Sequence, residues 1–472
     1  MKNWNVRKTL VAREDMPEEH RLRQSLGWPH LIALGVGAIV GTGILTLTGV
    51  GAAKAGPAVI LSFAIAGVIC AFAALAYAEM ATMYPAAGSA YTYSYIVFGE
   101  LIAWIVGWSL ILEYSLVVSA VAVGWSGYAA GFLQSIGAAL PEAIVQGPEL
   151  GGVINLPAIF IIAVIAGLLI YGTRESANLN AVLVVVKLLA LALFIVVALP
   201  FFNMGNFEPF MPYGFSRSGP AGAEVGVMAA AAIIFFAFYG FDAIATAAEE
   251  TKNPDRDLGI GIVGSMLLCV IIYMAVAATA IGALAYIRFA NSAEPLALIL
   301  RQLDQPWAAW FLAISAVIAL PTVILAFFFG QSRIFFTMAR DGLLPTSLAR
   351  VSARGTPVRI TLFTAVVVAV IAGIFPLADI AALANAGTLA AFIAVCAAMM
   401  TMRRREPDMP RRFTTPLPWV VGTLGIIGCA YLFWSLPVKT QTYFLVWNLL
   451  GLALYFVYGS RQAERARAAR VG

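Results

Sequence analysis

Three ionisable side chains stand inside long apolar stretches of this sequence. They are Glu113 in Leu110-Ile111-Leu112-Glu113-Tyr114, Lys187 in Val184-Val185-Val186-Lys187-Leu188-Leu189, and Asp242 in Tyr239-Gly240-Phe241-Asp242. A charge at the centre of an apolar helix costs at least about 2.5 kcal/mol on insertion scales, so each needs a partner or a task. Proton transfer and ion pairing are the chemistries open to such groups. Lys187 reads either as a buried amine that loses and regains a proton or stands in for a sodium ion, or as a side chain snorkelling to the surface from roughly 10 Å inside its helix. Glu113 reads as a coupling carboxyl or as a hydrogen-bond partner of Tyr or Ser side chains. Asp242 reads as the partner of a cationic substrate side chain or as a cap on the helix segment after Gly240.

Other chemistries lack material. Only His20 and His30 exist, and Cys70, Cys269, Cys396 and Cys429 are scattered singly without a CxxC pair, so the expectation is no metal site and no cofactor. Gly124-Trp125-Ser126-Gly127 lacks the spacing of a nucleophile elbow. These absences speak against an enzyme.

The backbone supplies a second kind of chemistry. The first apolar span reads Gly35-Val36-Gly37-Ala38-Ile39-Val40-Gly41-Thr42-Gly43, where each glycine costs roughly 1 kcal/mol of helix propensity relative to alanine. Gly37 and Gly41 form a GxxxG pair that could serve close packing. The preferred reading is an unwound segment lining a cavity, the one setting in which irregular backbone survives at membrane depth. The sixth span carries a second interruption in Phe235 to Asp242. Half-helix amino ends present free N–H groups that receive a carboxylate, and carboxyl ends present carbonyls that receive an ammonium. An amino acid zwitterion carries both. Gly41 and Gly43 leave the backbone open to approach, and Thr42 adds a hydroxyl.

The elements that must position these groups are membrane helices. Of 472 residues 61% are hydrophobic and 11% charged, against roughly 45–50% and about 25% in soluble domains. Apolar runs predict an all-α integral membrane protein of about twelve helices: 31–47, 58–78, 101–133, 156–171, 181–202, 226–248, 259–284, 308–336, 360–376, 380–402, 419–436 and 443–458. Residues 1–28 form a charged tail without the uncharged h-region of a leader, and 459–472 a basic tail. Alternate connections hold Arg174, Lys252 with Arg256, Arg340 with Arg350, Arg354 and Arg359, and the Arg403 to Arg412 cluster, which by the positive-inside rule puts both termini in the cytoplasm of a multi-pass protein of the inner or plasma membrane. The net charge of +5 is thereby spent on topology, and nucleic acid is not expected as a partner.

By parity the first and sixth spans enter the bilayer from opposite sides, so residues 29–202 and 203–402 read as two inverted five-helix repeats, followed by two further helices over 403–458. Paired interruptions at matching places in inverted halves mark a midplane binding site. Glu249 and Glu250 end the sixth span near Arg333 and Arg340 of the eighth, either as a salt-bridged inner gate or as solvated ends.

Gly37 to Ile44, Tyr84-Pro85-Ala86-Ala87-Gly88-Ser89-Ala90-Tyr91, Glu113-Tyr114, Val123 to Tyr128, Phe235 to Glu250 and Met338-Ala339-Arg340-Asp341-Gly342-Leu343-Leu344-Pro345 together resemble the amino acid-polyamine-organocation superfamily, and within it the cationic amino acid transporter subfamily. The resemblance implies a LeuT-like fold in which helices 1, 2, 6 and 7 rock against a scaffold of helices 3, 4, 8 and 9. It implies that amides around Thr42 and Gly43 hold a substrate carboxylate, that carbonyls of Ile39, Phe236, Ala237 and Tyr239 hold the amine, and that Lys187 replaces a sodium site in proton-coupled transport. One departure is Ile318-Ala319-Leu320-Pro321-Thr322, whose Leu-Pro pair differs from the small-residue pattern of arginine-accepting members. The expected function is therefore a proton-coupled permease for L-α-amino acids, cationic or small neutral. An exchanger of amino acids or polyamines and a membrane-bound sensor are the alternatives, and a small single-helix membrane partner is conceivable.

Overall fold

Hydrocarbon offers no water to bond free peptide groups, so a chain crossing it must close its hydrogen bonds within helices. The computed structural model describes residues 6–8, 26–86, 88–171, 177–219, 224–345 and 358–464, and among them only helices and two isolated bridges, Leu26–Thr251 and Ser218–Val225, occur. Among the described residues nine helices are long and apolar enough to cross a membrane, and three shorter apolar helices accompany them at Trp28–Ile39, Leu156–Tyr171 and Val358–Ile374.

In chain order the elements used below are α1 (Trp28–Ile39), α2 (Thr42–Leu45), α3 (Leu47–Ala55), α4 (Val59–Met83), α5 (Ser89–Val97), α6 (Glu100–Ser135), α7 (Leu156–Tyr171), α8 (Ala177–Ala198), α9 (Val227–Ile234), α10 (Asp242–Thr246), α11 (Pro254–Ala283), α12 (Pro295–Gln302), α13 (Pro306–Arg340), α14 (Val358–Ile374), α15 (Leu377–Arg405), α16 (Pro418–Ser435) and α17 (Val438–Leu454). Each expected span finds its helix, with ends moved by a few residues. Two short helices, α5 and α12, were not anticipated, because nine and eight residues fall below the length of a span. Arg174, Arg350 and Arg354 lie outside the described residues, as do most of the amino-terminal tail and residues 465–472.

The long α6 packs against α13 and α15, while α1 and α4 both lie along α11. Large apolar side chains such as Phe160, Val196, Leu445 and Val457 point outward, as lipid contact requires. α17 is bolted to α6 by a stacked indole pair: Trp108 and Trp447 lie 4.6 Å apart, and each Nε1–H donates to the other's carbonyl, at 2.9 and 3.0 Å. A side chain at Gly451 would strike the Trp108 ring, so glycine there permits the approach.

Pro321 sits inside α13, where its missing N–H strips the carbonyl of Val317 of its helical partner. The Trp125 indole of α6 donates to that carbonyl at 2.9 Å, which heals the gap and joins the two helices.

One face of the bundle is tied together by ion pairs. Lys8 meets Asp341 at 2.7 Å, Arg333 meets Glu250 at 2.6 Å, Arg403 meets Glu79 at 2.7 Å and Arg412 meets Asp255 at 3.2 Å. The amino-terminal segment, the Lys252 loop, the end of α13 and the Arg403 to Arg412 cluster therefore share that face, the grouping on which the charge pattern was read.

Candidate functional site

The first span breaks where the glycines crowd. α1 ends at Ile39, Val40 takes φ −74° and ψ 94°, Gly41 is extended at φ −146° and ψ −148°, and helix resumes with α2 at Thr42. A break leaves the last carbonyls of α1 without intrahelical donors. Side chains from other helices supply them: Lys187 Nζ of α8 donates to Gly37 O at 2.9 Å, and Tyr273 Oη of α11 donates to Ile39 O at 2.8 Å. Packing also uses these glycines, since a Cβ at Gly37 would stand 2.9 Å from Val184.

The sixth span breaks to match. α9 ends at Ile234, a tight 3₁₀ turn covers Phe235–Ala237, and Gly240 at φ +123° precedes α10. That φ is costly for any residue with a Cβ. A Cβ there would also stand 3.0 Å from the backbone of Ala38, so Gly240 lets the two breaks touch. Gly43 does the same from the first break, its hydrogen face lying against the Ala237 backbone. The carbonyls of Ala232 and Ile233, near the end of α9, accept from Asn385 Nδ2 of α15 at 2.7 and 3.0 Å.

Between the breaks lies a small hollow, with about 10 Å³ free to the centre of a water in this conformation, walled by Ala38, Ile39, Gly41, Thr42 and Gly43, by Phe236 and Tyr239, and by Val117 and Val121 of α6 with Val323 and Phe327 of α13. The wall carries no charged side chain among the described residues. The Thr42 hydroxyl reaches the Val121 carbonyl only at 3.5 Å, a long contact, and the buried Tyr239 hydroxyl makes no hydrogen bond of good geometry among the described residues, so both can turn to a ligand. Ile39 O keeps one lone pair beyond the bond from Tyr273.

Asp242 is not in this wall. It is 1% exposed, its Oδ1 accepts the Gly240 N–H at 3.1 Å, and its Oδ2 accepts the Tyr114 hydroxyl at 2.8 Å. Those bonds tie Asp242 to the turn at Gly240 and to α6, and no side-chain cap bond is made at the start of α10. Lys187 does not snorkel: it is 4% exposed and also donates to Thr322 Oγ1 at 3.3 Å. Glu113, 1% exposed, faces Gly387 of α15, and neither of its carboxyl oxygens has a hydrogen-bond partner among the described residues.

Of the gate residues, Glu250 pairs with Arg333, and Leu26 adds backbone bonds to both sides of Thr251, with its N–H donating to Glu250 O at 3.1 Å and its carbonyl accepting from Lys252 at 2.8 Å. The side chain of Glu249 lies outside the described residues. Sequence reasoning missed Tyr273, Asn385, Tyr114 and Lys8. Tyr273, Asn385 and Tyr114 are ordinary residues in their own helices and Lys8 lies in the amino-terminal segment, and each is made important by a partner more than 100 positions away. No group of three or more His, Cys, Asp or Glu is placed to hold a metal ion among the described residues.

Comparison with known proteins gives these breaks a context. The family model described as amino acid permease matches residues 26–458. The branched-chain amino acid permease BcaP of Bacillus subtilis is 44% identical over 453 residues, covering 94% of this chain and 95% of the relative. The methylthioribose transporter of the same organism is 38% identical over 97% of this chain and 98% of its own. The vacuolar cationic amino acid transporter 2 of Arabidopsis thaliana is 37% identical over 86% of this chain and 65% of its own. These relatives are transporters rather than enzymes. With one family model spanning both broken helices and relatives matched almost end to end, the chain belongs to the amino acid permease family of the amino acid-polyamine-organocation superfamily.

Proposed function

We propose that this protein is a proton-coupled permease for amino acids with neutral aliphatic side chains, working by alternating access of the hollow between the two broken helices. The observation that carries the reading is that both breaks open onto one uncharged hollow. The carboxylate meets amides at the start of α2, around Thr42 and Gly43. The ammonium meets carbonyls of Ile39, Phe236, Ala237 and Tyr239. The side chain lies against Val117, Val121, Val323 and Phe327, which suit a branched hydrocarbon and offer nothing to a cation. Asp242 is engaged by Gly240 and Tyr114 away from the hollow, which favours the neutral over the cationic of the two expected cargo classes. The name of the 44% identical relative points the same way.

In this reading residues 29–202 and 203–402 are inverted repeats, 403–458 is peripheral, and both termini are cytoplasmic in the cell membrane. The Glu250–Arg333 pair closes the inner side. Lys187 is the coupling site: a charged amine bonds the Gly37 carbonyl strongly, and loss of its proton weakens the bond that pins the break in α1. Glu113, a carboxyl buried beside Gly387 of α15, is the second candidate for coupling.

Uptake of labelled leucine into liposomes holding the purified protein, driven by an inward proton gradient, tests this. Accumulation that collapses with a protonophore and is competed by isoleucine and valine but not by arginine is expected. Accumulation indifferent to the gradient would support an exchanger. Preferred uptake of methylthioribose, a thioether sugar without ammonium or carboxylate, would move the cargo to that of the second relative.

A further inference from the structure

A second hollow lies on the other side of the first span from the cargo. Val40 and Leu45 wall it from the broken span, Ala190 from α8, and Leu312 and Ser315 from α13, with Lys187 at its floor. Lys187 and Ser315 are its only polar side chains among the described residues. The space free to a water centre is about 10 Å³, the size at which a cavity admits a single water. Lys187 lines this hollow and not the one between the breaks.

Its place along the helices is informative. α13 runs from Pro306 to Arg340 and carries Arg333 at the face closed by Glu250. Ser315 precedes Arg333 by 18 residues, roughly 27 Å of helix. On α8, Ala190 lies beyond Lys187 in the same direction, and on the broken span Leu45 lies beyond Gly37. The hollow thus extends from Lys187 toward the face opposite the ion-paired one. Leu45, Leu191 and Leu312 are all buried and close it in this conformation.

We propose that this hollow is a proton-relay site, holding one water between Lys187 Nζ and Ser315 Oγ, through which Lys187 exchanges its proton with the outer face by a route separate from the cargo's. A hydronium formed at that water transfers its proton to the neutral amine, leaving an ammonium and a water, and the reverse step discharges it. The amine keeps its bond to Gly37, so the proton arrives on one side of α1 while the cargo arrives on the other. This rests on Lys187 being the coupling site, as proposed above.

Two routes through one helix can be filled one at a time. Ser315→Leu and, separately, Ala316→Leu occupy the relay hollow without touching the cargo wall. In liposomes, gradient-driven leucine uptake should fall at least tenfold in both. Exchange of internal for external leucine at equal pH, which needs no deprotonation, should stay within twofold. Ser315→Thr, which keeps the hydroxyl, should retain gradient-driven uptake within about threefold. If both leucine variants keep gradient-driven uptake while Lys187→Ala loses it, the relay is wrong and the coupling site stands. If Lys187→Ala also keeps it, the coupling assignment falls and the relay with it. Should the leucine variants misfold, Ser315→Ala removes the hydroxyl without adding volume: gradient-driven uptake lowered at least fivefold with equal-pH exchange spared is expected, and undiminished gradient-driven uptake overturns the relay.

Discussion

The ammonium of Lys187 lies 2.9 Å from the carbonyl oxygen of Gly37, in the last turn of α1 before the chain unwinds. A helix that stops in the bilayer must have its final carbonyls satisfied from outside, and here a titratable side chain does it. The break that walls the hollow and the side chain of one lysine are thereby parts of the same hydrogen-bond arrangement.

The glycines of the first break are not equivalent. A Cβ at Gly41 would meet Val323 at 3.5 Å and the Ile39 carbonyl at 4.0 Å, both ordinary contacts, whereas one at Gly43 would fall 2.3 Å from the Ala237 backbone. Gly41→Ala should keep leucine binding within about threefold, and Gly43→Ala should weaken it by more than tenfold, equivalent to about 1.4 kcal/mol or more. Calorimetric titration of both variants in detergent checks the order. Equal losses would show that contact between the two breaks is not the constraint.

Tyr114 and Asp242 should act as one unit. A buried hydrogen bond to a charged or polar carboxyl contributes about 1–3 kcal/mol, so Tyr114→Phe and Asp242→Asn should each lower thermal stability, and the double variant should be less than additive. Arginine should not bind better to the native protein than to Asp242→Asn. Arginine affinity that depends on Asp242 would restore the reading of that carboxylate as a substrate partner.

The ion pair of Arg333 with Glu250 is partly solvated, its side chains 24% and 27% exposed, and so is worth about 0.2–1 kcal/mol. Arg333→Gln should shift the population toward an open inner face by about fivefold at most. Lys8→Ala, which frees Asp341 from its 2.7 Å partner, should shift it the same way. Fluorophore labelling of a cysteine at Val323 or Phe327 reports the change as a faster reaction. Slower labelling in either variant would mean that the pairs hold the face open.

The breaks were legible because propensity concentrates at them. Four glycines in nine residues, and a glycine followed by a carboxylate in an apolar run, cannot extend a helix cheaply. The groups that complete the breaks were not legible, since Tyr273, Asn385 and Tyr114 sit in their own helices with no local peculiarity. Asp242 shows the same limit from the other direction. Its sequence position allowed a cap or a substrate partner, and only the placement of Tyr114, 128 residues away, shows both oxygens engaged. The Leu320-Pro321-Thr322 departure also becomes physical: the proline frees Val317 O for Trp125, and the threonine receives Lys187.

The most direct measurement compares leucine with two truncated forms of itself in binding to the purified protein. Isoamylamine lacks the carboxylate and 4-methylpentanoate lacks the ammonium, while both keep the branched side chain. If free peptide groups at the two breaks hold a zwitterion, each truncated ligand should bind at least about a hundredfold more weakly than leucine, because it leaves polar groups in the hollow unpaired. Binding of either one within a few fold of leucine would contradict it.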